Sequence, residues 1–339
     1  MTPEYFAGLD AHVAYVQVAV VDKQGQLCLE QRIRTTTPEA LTAALAPFRP
    51  LTAVVETSPF WAWVYDLLTP TGVTVAVAHA RALRAIATSH RKTDEGDARL
   101  LARMLAAGLI PAVYAKSPTQ REVLTLLRHR QVLVRQRTAL ANRVHAQLHQ
   151  QRLALPRAHL LRRATRAWLK AEAWPRLTRE QRRLIGGHFS LIQRLTRMIR
   201  ALDGHVAAHA AHSSAARVLQ TIPGIGPYFG LLLATELSPI TRFPTPAHVV
   251  GYAGLAPSTR SSGGRTKHGR IPHAANHAVR GALVSAIPLH VRHAPESSLS
   301  TYYQRQKQRL GWPVARVATA RRLSVIVYRM LATGEVWRG

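Results

Sequence analysis

Apolar residues in the first third of the chain fall in short runs with the two-residue period of strands, and these alternate with segments of helical period. Residues 5–10 (YFAGLD) read as a short buried strand that ends in the carboxylate of Asp10. Strands over 13–21 and about 27–33 follow after short polar turns, which predicts an antiparallel meander. Pro38 opens a predicted helix over 38–47, and 51–56 (LTAVVE) is a further strand, ending in Glu56. A helix rich in Trp and Leu (60–71), a strand (73–78) and another helix (80–88) lead to the stretch 89–104 (SHRKTDEGDARLLARM). There Thr93 is placed to cap a helix in which Asp97, Leu100, Leu101 and Met104 recur at helical spacing, so Asp94 and Asp97 lie one turn apart near its start. Strands followed by alternating helix and strand predict a mixed α/β sheet with helices on its faces.

Beyond residue 112 the pattern turns helical. Residues 117–153 predict one long helix with apolar positions at Val123, Leu126, Leu127, Leu133, Val134, Leu140, Val144 and Leu148, and with Arg128, Arg135 and other arginines on its remaining faces. Helices over about 157–172 and 178–211 follow, long enough for a coiled-coil-like arm that dimerises or lies along a nucleic acid. His205, His209 and His212, and His145 with His149, stand at metal-like spacing but lack the Cys or Glu partners of a closed site, so they read as solvated or phosphate-facing. Residues 219–227 (LQTIPGIGP) match a helix-hairpin-helix turn, in which Gly224 and Gly226 would expose backbone N–H groups to a phosphate at the start of the helix 228–237. A polar, glycine-rich loop, 258–271 (STRSSGGRTKHGRI), precedes predicted helices at 275–292, 296–310 and 313–334.

Charge sharpens the picture. The 339 residues hold 46 Lys+Arg against 17 Asp+Glu, a formal net charge of +29. Residues 1–110 carry 10 basic and 10 acidic side chains, leaving 36 basic and 7 acidic for the rest. So large an Arg-rich excess suits a phosphate backbone, through counterion release and bidentate contacts, and makes nucleic acid the expected partner. No apolar run approaches a membrane span, and the first residues (MTPEY) hold neither a basic segment nor an apolar core, so no membrane partner or export is expected. The single cysteine, Cys28, suits a reducing cytoplasm.

Against this basic background the four acids stand out. Asp10 and Glu56 sit at the carboxyl ends of predicted strands, where sites form in such sheets, and Asp94 and Asp97 could converge on them. Singly, each is an ordinary turn or helix-start acid. Together, four carboxylates repel unless cations lie between them, and an all-oxygen ligand set favours Mg²⁺ or Mn²⁺, ions suited to in-line displacement at phosphorus. In the loop 258–271, Ser261 and Ser262 beside two glycines offer a hydroxyl able to approach a substrate closely, with Arg260, Arg265, Lys267 and Arg270 to balance phosphoryl charge. On chemistry alone, a nucleophilic serine and a loop that merely binds phosphate fit equally.

These motifs, taken in order, resemble the DEDD-type transposases of the insertion-sequence one-ten family, known as bridge-RNA-guided recombinases. The likeness runs through Gly8-Leu9-Asp10, Val54-Val55-Glu56, the stretch from Lys92 to Arg99, Ile222 to Gly226, Gly254 to Pro257, Ser261 to Gly264, and Asn276 with Arg280 and Leu283. It implies a RuvC-like, RNase-H-fold domain over 1–112 whose metal ligands and catalytic acids are Asp10, Glu56, Asp94 and Asp97. It further implies a basic helical coiled-coil region over 113–212 and a mainly α-helical transposase domain over 213–339. Ser262 aligns best as the nucleophile, with Ser261 the runner-up. Mg²⁺, or Mn²⁺ in its place, would be the cofactor. DNA, a structured noncoding RNA and further copies of the chain, as dimer or tetramer, would be the partners, in a bacterial or archaeal cytoplasm close to the nucleoid. The chain departs from the family in carrying Ala11-His12 after the first Asp, where Lys or Ser is common, Thr57-Ser58-Pro59 after the Glu, and Pro272-His273-Ala274-Ala275 before Asn276. Two rivals remain: a metal-dependent junction nuclease in which water attacks, and a nucleic-acid-binding protein without catalysis.

Overall fold

The computed structural model describes residues 4–86, 93–155, 160–262 and 265–339, with the side chains of 84–86 and 260–268 left aside. The predicted helix end at 87–88, the segment Ser89 to Lys92, the start of the predicted helix at 157 and the pair Gly263-Gly264 lie outside those residues. Contacts divide the chain into two compact units, Met1–Ser117 and Pro118–Gly339.

The first unit is a six-stranded mixed sheet. Strands β1 (Tyr5–Ala11), β2 (Tyr15–Asp22) and β3 (Leu27–Arg34) form the expected meander. After α1 (Pro38–Leu45), β4 (Leu51–Glu56) inserts parallel to β1, and after α2 (Trp61–Leu68), β5 (Thr74–Ala78) adds parallel to β4. Helices α3 (Ala80–Ile86) and α4 (Asp94–Ala106) precede a two-residue edge strand, β6 (Ala112–Val113), and the order across the sheet is β3-β2-β1-β4-β5-β6.

Strand alternation sorts the sheet's two faces. Ala7, Leu9 and Ala11 of β1, Ala53 and Val55 of β4 and Val16, Val18 and Val20 of β2 pack with Leu41 and Leu45 of α1 and Val64 and Leu68 of α2. On the opposite face Val54 and Ala78 pack with Leu83 of α3 and Leu101 and Met104 of α4. Gly8 lies on that second face, and a Cβ there would stand 2.0 Å from the Ala98 carbonyl oxygen and 2.6 Å from the Ala102 nitrogen. Helix α4 therefore rests on β1 backbone to backbone, an approach only glycine allows. The Arg99 guanidinium grips both carboxylate oxygens of Glu30 on β3, and this bond holds the Glu30 carboxyl below its ordinary pKa.

The second unit is helical apart from one hairpin. Helices α5 (Pro118–Gln150) and α7 (Arg179–His212) lie against each other. The stretch between them is more broken than the single helix expected over about 157–172: α6 (Arg163–Trp168) runs into one π turn (Leu169–Ala173) and one 3₁₀ turn (Trp174–Arg176). Pro175 explains the break, since it has no N–H to continue the ladder. A capping box between Thr178 and Gln181 then starts α7. Leu140, Val144 and Leu148 of α5 join Leu169, Leu177, Ile185 and Ile192 in one apolar cluster. A larger cluster unites Val123 and Leu127 with α8 (Ser214–Gln220), α9 (Pro227–Leu237), α10 (Pro246–Tyr252), α11 (His277–His293), α12 (Ser298–Leu310) and α13 (Trp312–Thr333). The polar loop expected between α10 and α11 holds an antiparallel hairpin, β7 (Thr259–Ser262) with β8 (Arg265–His268), in which Ser262 pairs with Arg265 and Ser261 with Thr266.

Candidate metal centre and serine hairpin

In the first unit, β1 and β4 run parallel with Gly8 opposite Val54 and Leu9 opposite Val55. The next positions are Asp10 and Glu56, so the two carboxylates leave neighbouring strands on the face that α4 covers. Thr93 caps α4 by accepting a hydrogen bond from the Gly96 nitrogen at 3.1 Å, which fixes where the helix begins and puts Asp94 and Asp97 in its first turn.

The carboxylates of Asp10 and Asp94 converge with a third group, the His12 imidazole. His12 Nε2 lies 3.0 Å from Asp10 Oδ2 and 3.7 Å from Asp94 Oδ1. One ligand atom from each of these three residues falls within 4.8 Å of the others, an arrangement that could hold a metal ion. Glu56 leaves β4 on the same face as Asp10 and Asp97 lies one turn into α4, but both stand outside that tight trio. The trio fits a divalent ion by its chemistry: two carboxylates and an imidazole supply oxygen and nitrogen donors whose charge one M²⁺ balances.

Tyr15, at the start of β2, organises two members of the trio. Its hydroxyl donates to Asp94 Oδ2 at 2.6 Å, and its ring packs against the His12 ring, tilted by 35° at 4.9 Å between centroids. The bond to Asp94 is the main reason the Tyr15 hydroxyl holds its proton above the usual phenol range. The Arg32 guanidinium lies 4.3 Å over the Tyr15 ring, with Nη2 3.8 Å from Asp94 Oδ2. Sequence reading noted His12 only as a departure from the family and singled out neither Tyr15 nor Arg32. The first was findable: β1 extends through Ala11, one residue past the expected end, and strand alternation then sends Asp10 and His12 to the same side.

In the second unit the serine hairpin stands on a polar clasp. Glu236 of α9, only 2% exposed, accepts hydrogen bonds at Oε2 from Asn276 Nδ2 (3.0 Å) and from the Tyr252 hydroxyl (3.2 Å). Arg128 of α5 reaches its other oxygen at 3.5 Å. Tyr252 closes α10 and Asn276 caps α11, accepting from the Ala278 and Val279 nitrogens, so Glu236 joins the two helices between which the hairpin emerges. Burial raises the pKa of the Tyr252 hydroxyl, which keeps it a donor. Arg280 adds a second tie, donating to the Ala253 and Pro272 carbonyl oxygens on either side of the hairpin at 3.0 and 2.6 Å. Arg270 is exposed just past β8.

The glycines of the helix-hairpin-helix turn are used differently from each other. Gly224 has φ +93°, and a Cβ there would lie 2.7 Å from the His290 nitrogen, so this glycine seats the turn against α11. Gly226 is the N-cap of α9 and has open space where a side chain would be. Both line a cavity of about 870 Å³ together with Arg128, Arg135, Tyr228 and His277.

Two family models match separate parts of the chain. Residues 7–152 match the family model of DEDD-type IS110 transposases, and residues 216–304 match that of the transposase IS116/IS110/IS902 family. The chain belongs to the IS110 family of transposases. It is 24% identical over 333 residues to the transposase for insertion sequence element IS1328 of Yersinia enterocolitica, covering 97% of each chain. It is 25% identical over 250 residues to the transposase-named protein y4pF/y4sB of Sinorhizobium fredii, 73% of this chain and 64% of that one. It is 31% identical over 139 residues to an uncharacterised IS110 protein of Streptomyces coelicolor, 41% of this chain and 34% of that one. The chain thus spans less than two thirds of the length of these last two relatives. Among the described residues no helix is long and apolar enough to cross a membrane.

Proposed function

We propose that the protein is a DNA recombinase of the transposase type, which cuts and rejoins DNA by phosphoryl transfer through a serine. The observation that carries this reading is the convergence of Asp10 and Asp94, on the face shared with Glu56, in a sheet whose order and helix placement match the RuvC-like expectation. Asp10, Glu56, Asp94 and Asp97 would hold Mg²⁺ or Mn²⁺, which when bound supplies charge neutralisation at a phosphoryl group.

The remaining chemistry belongs to the second unit. The Ser262 hydroxyl, with Ser261 the runner-up, gives up its proton as its oxygen bonds to phosphorus. One P–O bond of the DNA backbone breaks, and its oxygen leaves as a deoxyribose hydroxyl. Return of such a hydroxyl to the phosphoserine rejoins the strand and restores the serine. Arg260, Arg265, Lys267 and Arg270 would balance the phosphoryl charge, and Gly224, Gly226, Arg128 and Arg135 would grip backbone phosphates at the cavity they line. A structured RNA that pairs with donor and target would leave sequence choice to base pairing, in keeping with arginines spread widely rather than gathered on one reading helix. The partition 1–112, 113–212 and 213–339, a dimer or tetramer, and a place in the cytoplasm beside the nucleoid belong to the same proposal.

The test incubates the full chain, the noncoding RNA flanking its element and labelled element-end DNA with Mg²⁺, and reads denaturing gels before and after protease. A protease-sensitive, DNA-linked species lost in both Ser262→Ala and Asp10→Ala is the expected result. Cleavage that persists in Ser262→Ala with no protein-linked DNA would mean water is the nucleophile. DNA binding without cleavage under any divalent ion would make the protein a binder only.

A further inference from the structure

The residue that fits least with an all-oxygen centre is His12. It lies two positions beyond Asp10 and one past the end of β1, its backbone N–H donating to the Tyr15 carbonyl at 2.9 Å. The side chains of Asp10 and His12 therefore project to one side, and Nε2 is the imidazole atom turned toward both carboxylates. Ligands about 2.1 Å from an octahedral ion stand about 3.0 Å apart when adjacent and about 4.2 Å apart when opposite. The 3.0 Å between Nε2 and Asp10 Oδ2, now a hydrogen bond, equals the spacing of adjacent ligands, and Asp94 Oδ1 at 3.7 Å lies within reach of the same ion.

Tyr15 prepares this geometry from behind. Its ring packs against the imidazole at a 35° tilt and limits its rotation, while its hydroxyl engages Asp94 Oδ2. Asp94 Oδ1 lies 3.7 Å from Nε2. One tyrosine orients a nitrogen donor and an oxygen donor together, as the outer partners of metal ligands do.

Building on the reading of this centre as a cation site, we propose that His12 is a direct ligand of the bound ion and that it makes the centre select Mn²⁺ over Mg²⁺. Mg²⁺ demands oxygen donors in near-ideal octahedral array and keeps much of its water. An imidazole nitrogen suits transition ions, and Mn²⁺ accepts carboxylates as readily as Mg²⁺ does while also binding the nitrogen. Replacing His12 by an oxygen donor or by nothing removes the basis of selection.

The experiment is pulsed electron paramagnetic resonance on the full chain loaded with Mn²⁺, with Mg²⁺ added as competitor. In the parent protein the Mn²⁺ signal should carry ¹⁴N modulation from a directly bound nitrogen. The modulation should vanish in His12→Ala and in His12→Gln, and Mn²⁺ affinity should fall about tenfold or more while Mg²⁺ affinity changes far less. The His12 side chain is 42% exposed, so both variants should melt as the parent does, and His12→Gln tests the result with a polar side chain retained. Mn²⁺ that is lost with Asp10→Asn yet shows no nitrogen coupling, or the same coupling in His12→Ala, would overturn the proposal and leave the recombinase reading standing. Mn²⁺ binding indifferent to Asp10→Asn would overturn both.

Discussion

Gly8 carries no functional group, yet Asp10 and Asp94 meet only because of it. The carbonyl and amide of α4 that crowd its absent Cβ are backbone atoms, which cannot swing aside as a flexible side chain would. Gly8→Ala must therefore push α4 off β1, at a cost of about 1–3 kcal/mol for an overpacked contact. The same retreat carries Asp94 away from Asp10, so urea unfolding should show the loss in stability and Mn²⁺ titration a parallel loss in affinity. Gly187→Ala is the control: nothing lies within 4 Å of its would-be Cβ, and alanine inside α7 should be neutral or add up to about 1 kcal/mol. A Gly8→Ala protein as stable as its parent would show that the helix has room the geometry denies it. His290 gives a second prediction at this scale. It is fully buried, with Nδ1 2.9 Å from the Pro223 carbonyl oxygen, Nε2 2.8 Å from Ser297 Oγ and the Trp337 ring edge-on beside it, and burial lowers its pKa from 6.5. Because the unfolded chain takes up this proton more readily than the folded one, the contribution is complete above about pH 6.5 and shrinks as pH falls toward the lower folded value. Melting temperature should drop less steeply between about pH 7 and 5 in His290→Gln than in the parent. Equal slopes would mean that His290 is not protonated on unfolding.

At the scale of elements, the hairpin that carries Ser262 is positioned by its ends, since its own sequence is polar and short. Asn276→Ala removes both the α11 cap and one of the bonds to the buried Glu236 carboxylate. Loss of a cap costs about 0.5–2 kcal/mol and an under-satisfied buried charge adds to it, so a destabilisation of about 2–3 kcal/mol is expected. If the clasp also aims the hairpin, protein-linked DNA should fall further than the lost folded fraction accounts for. A yield that merely tracks folding would leave the clasp a structural one. The clasp also marks where the sequence stopped being readable. Strands β1 to β5 and helices α5, α7 and α13 repeat their period over enough residues to be seen one at a time, and Thr93 announces α4 by its capping chemistry. The hairpin over 259–268 shows no apolar alternation, because no described face of it belongs to a core, and it reads as a loop. Helix α10 is seven residues long and offers barely two turns of pattern. Asp10 and Glu56 were legible as acids at strand ends. The partners Tyr15 and Arg32 were not, since their approach to Asp94 depends on the register of β2 with β3 and on the contact at Gly8.

For the whole molecule the governing quantity is how its charge is divided. The first 110 residues are balanced at 10 basic and 10 acidic side chains, whereas the rest hold 36 and 7. A balanced acidic centre binds cations without repelling the phosphates it works on, and a basic remainder supplies the grip. Affinity for duplex DNA should accordingly fall steeply with salt, by a slope in log units of about 0.9 for every phosphate neutralised. Arg135 lines the cavity at the start of α9 beside Gly226, where the uncapped N–H groups of the helix add to its charge. If a backbone phosphate rests there, Arg135→Ala should lower the salt slope by about 1 and weaken binding to all sequences alike. Asp10→Ala, which alters a cation ligand rather than a phosphate contact, should leave the slope where it was. Fluorescence anisotropy of one labelled duplex across a salt series measures both. A slope unchanged by Arg135→Ala would place the DNA elsewhere on the basic surface and remove the helix-hairpin-helix turn from the interface, while a slope altered by Asp10→Ala would mean that DNA reaches the acidic centre even in the binding step.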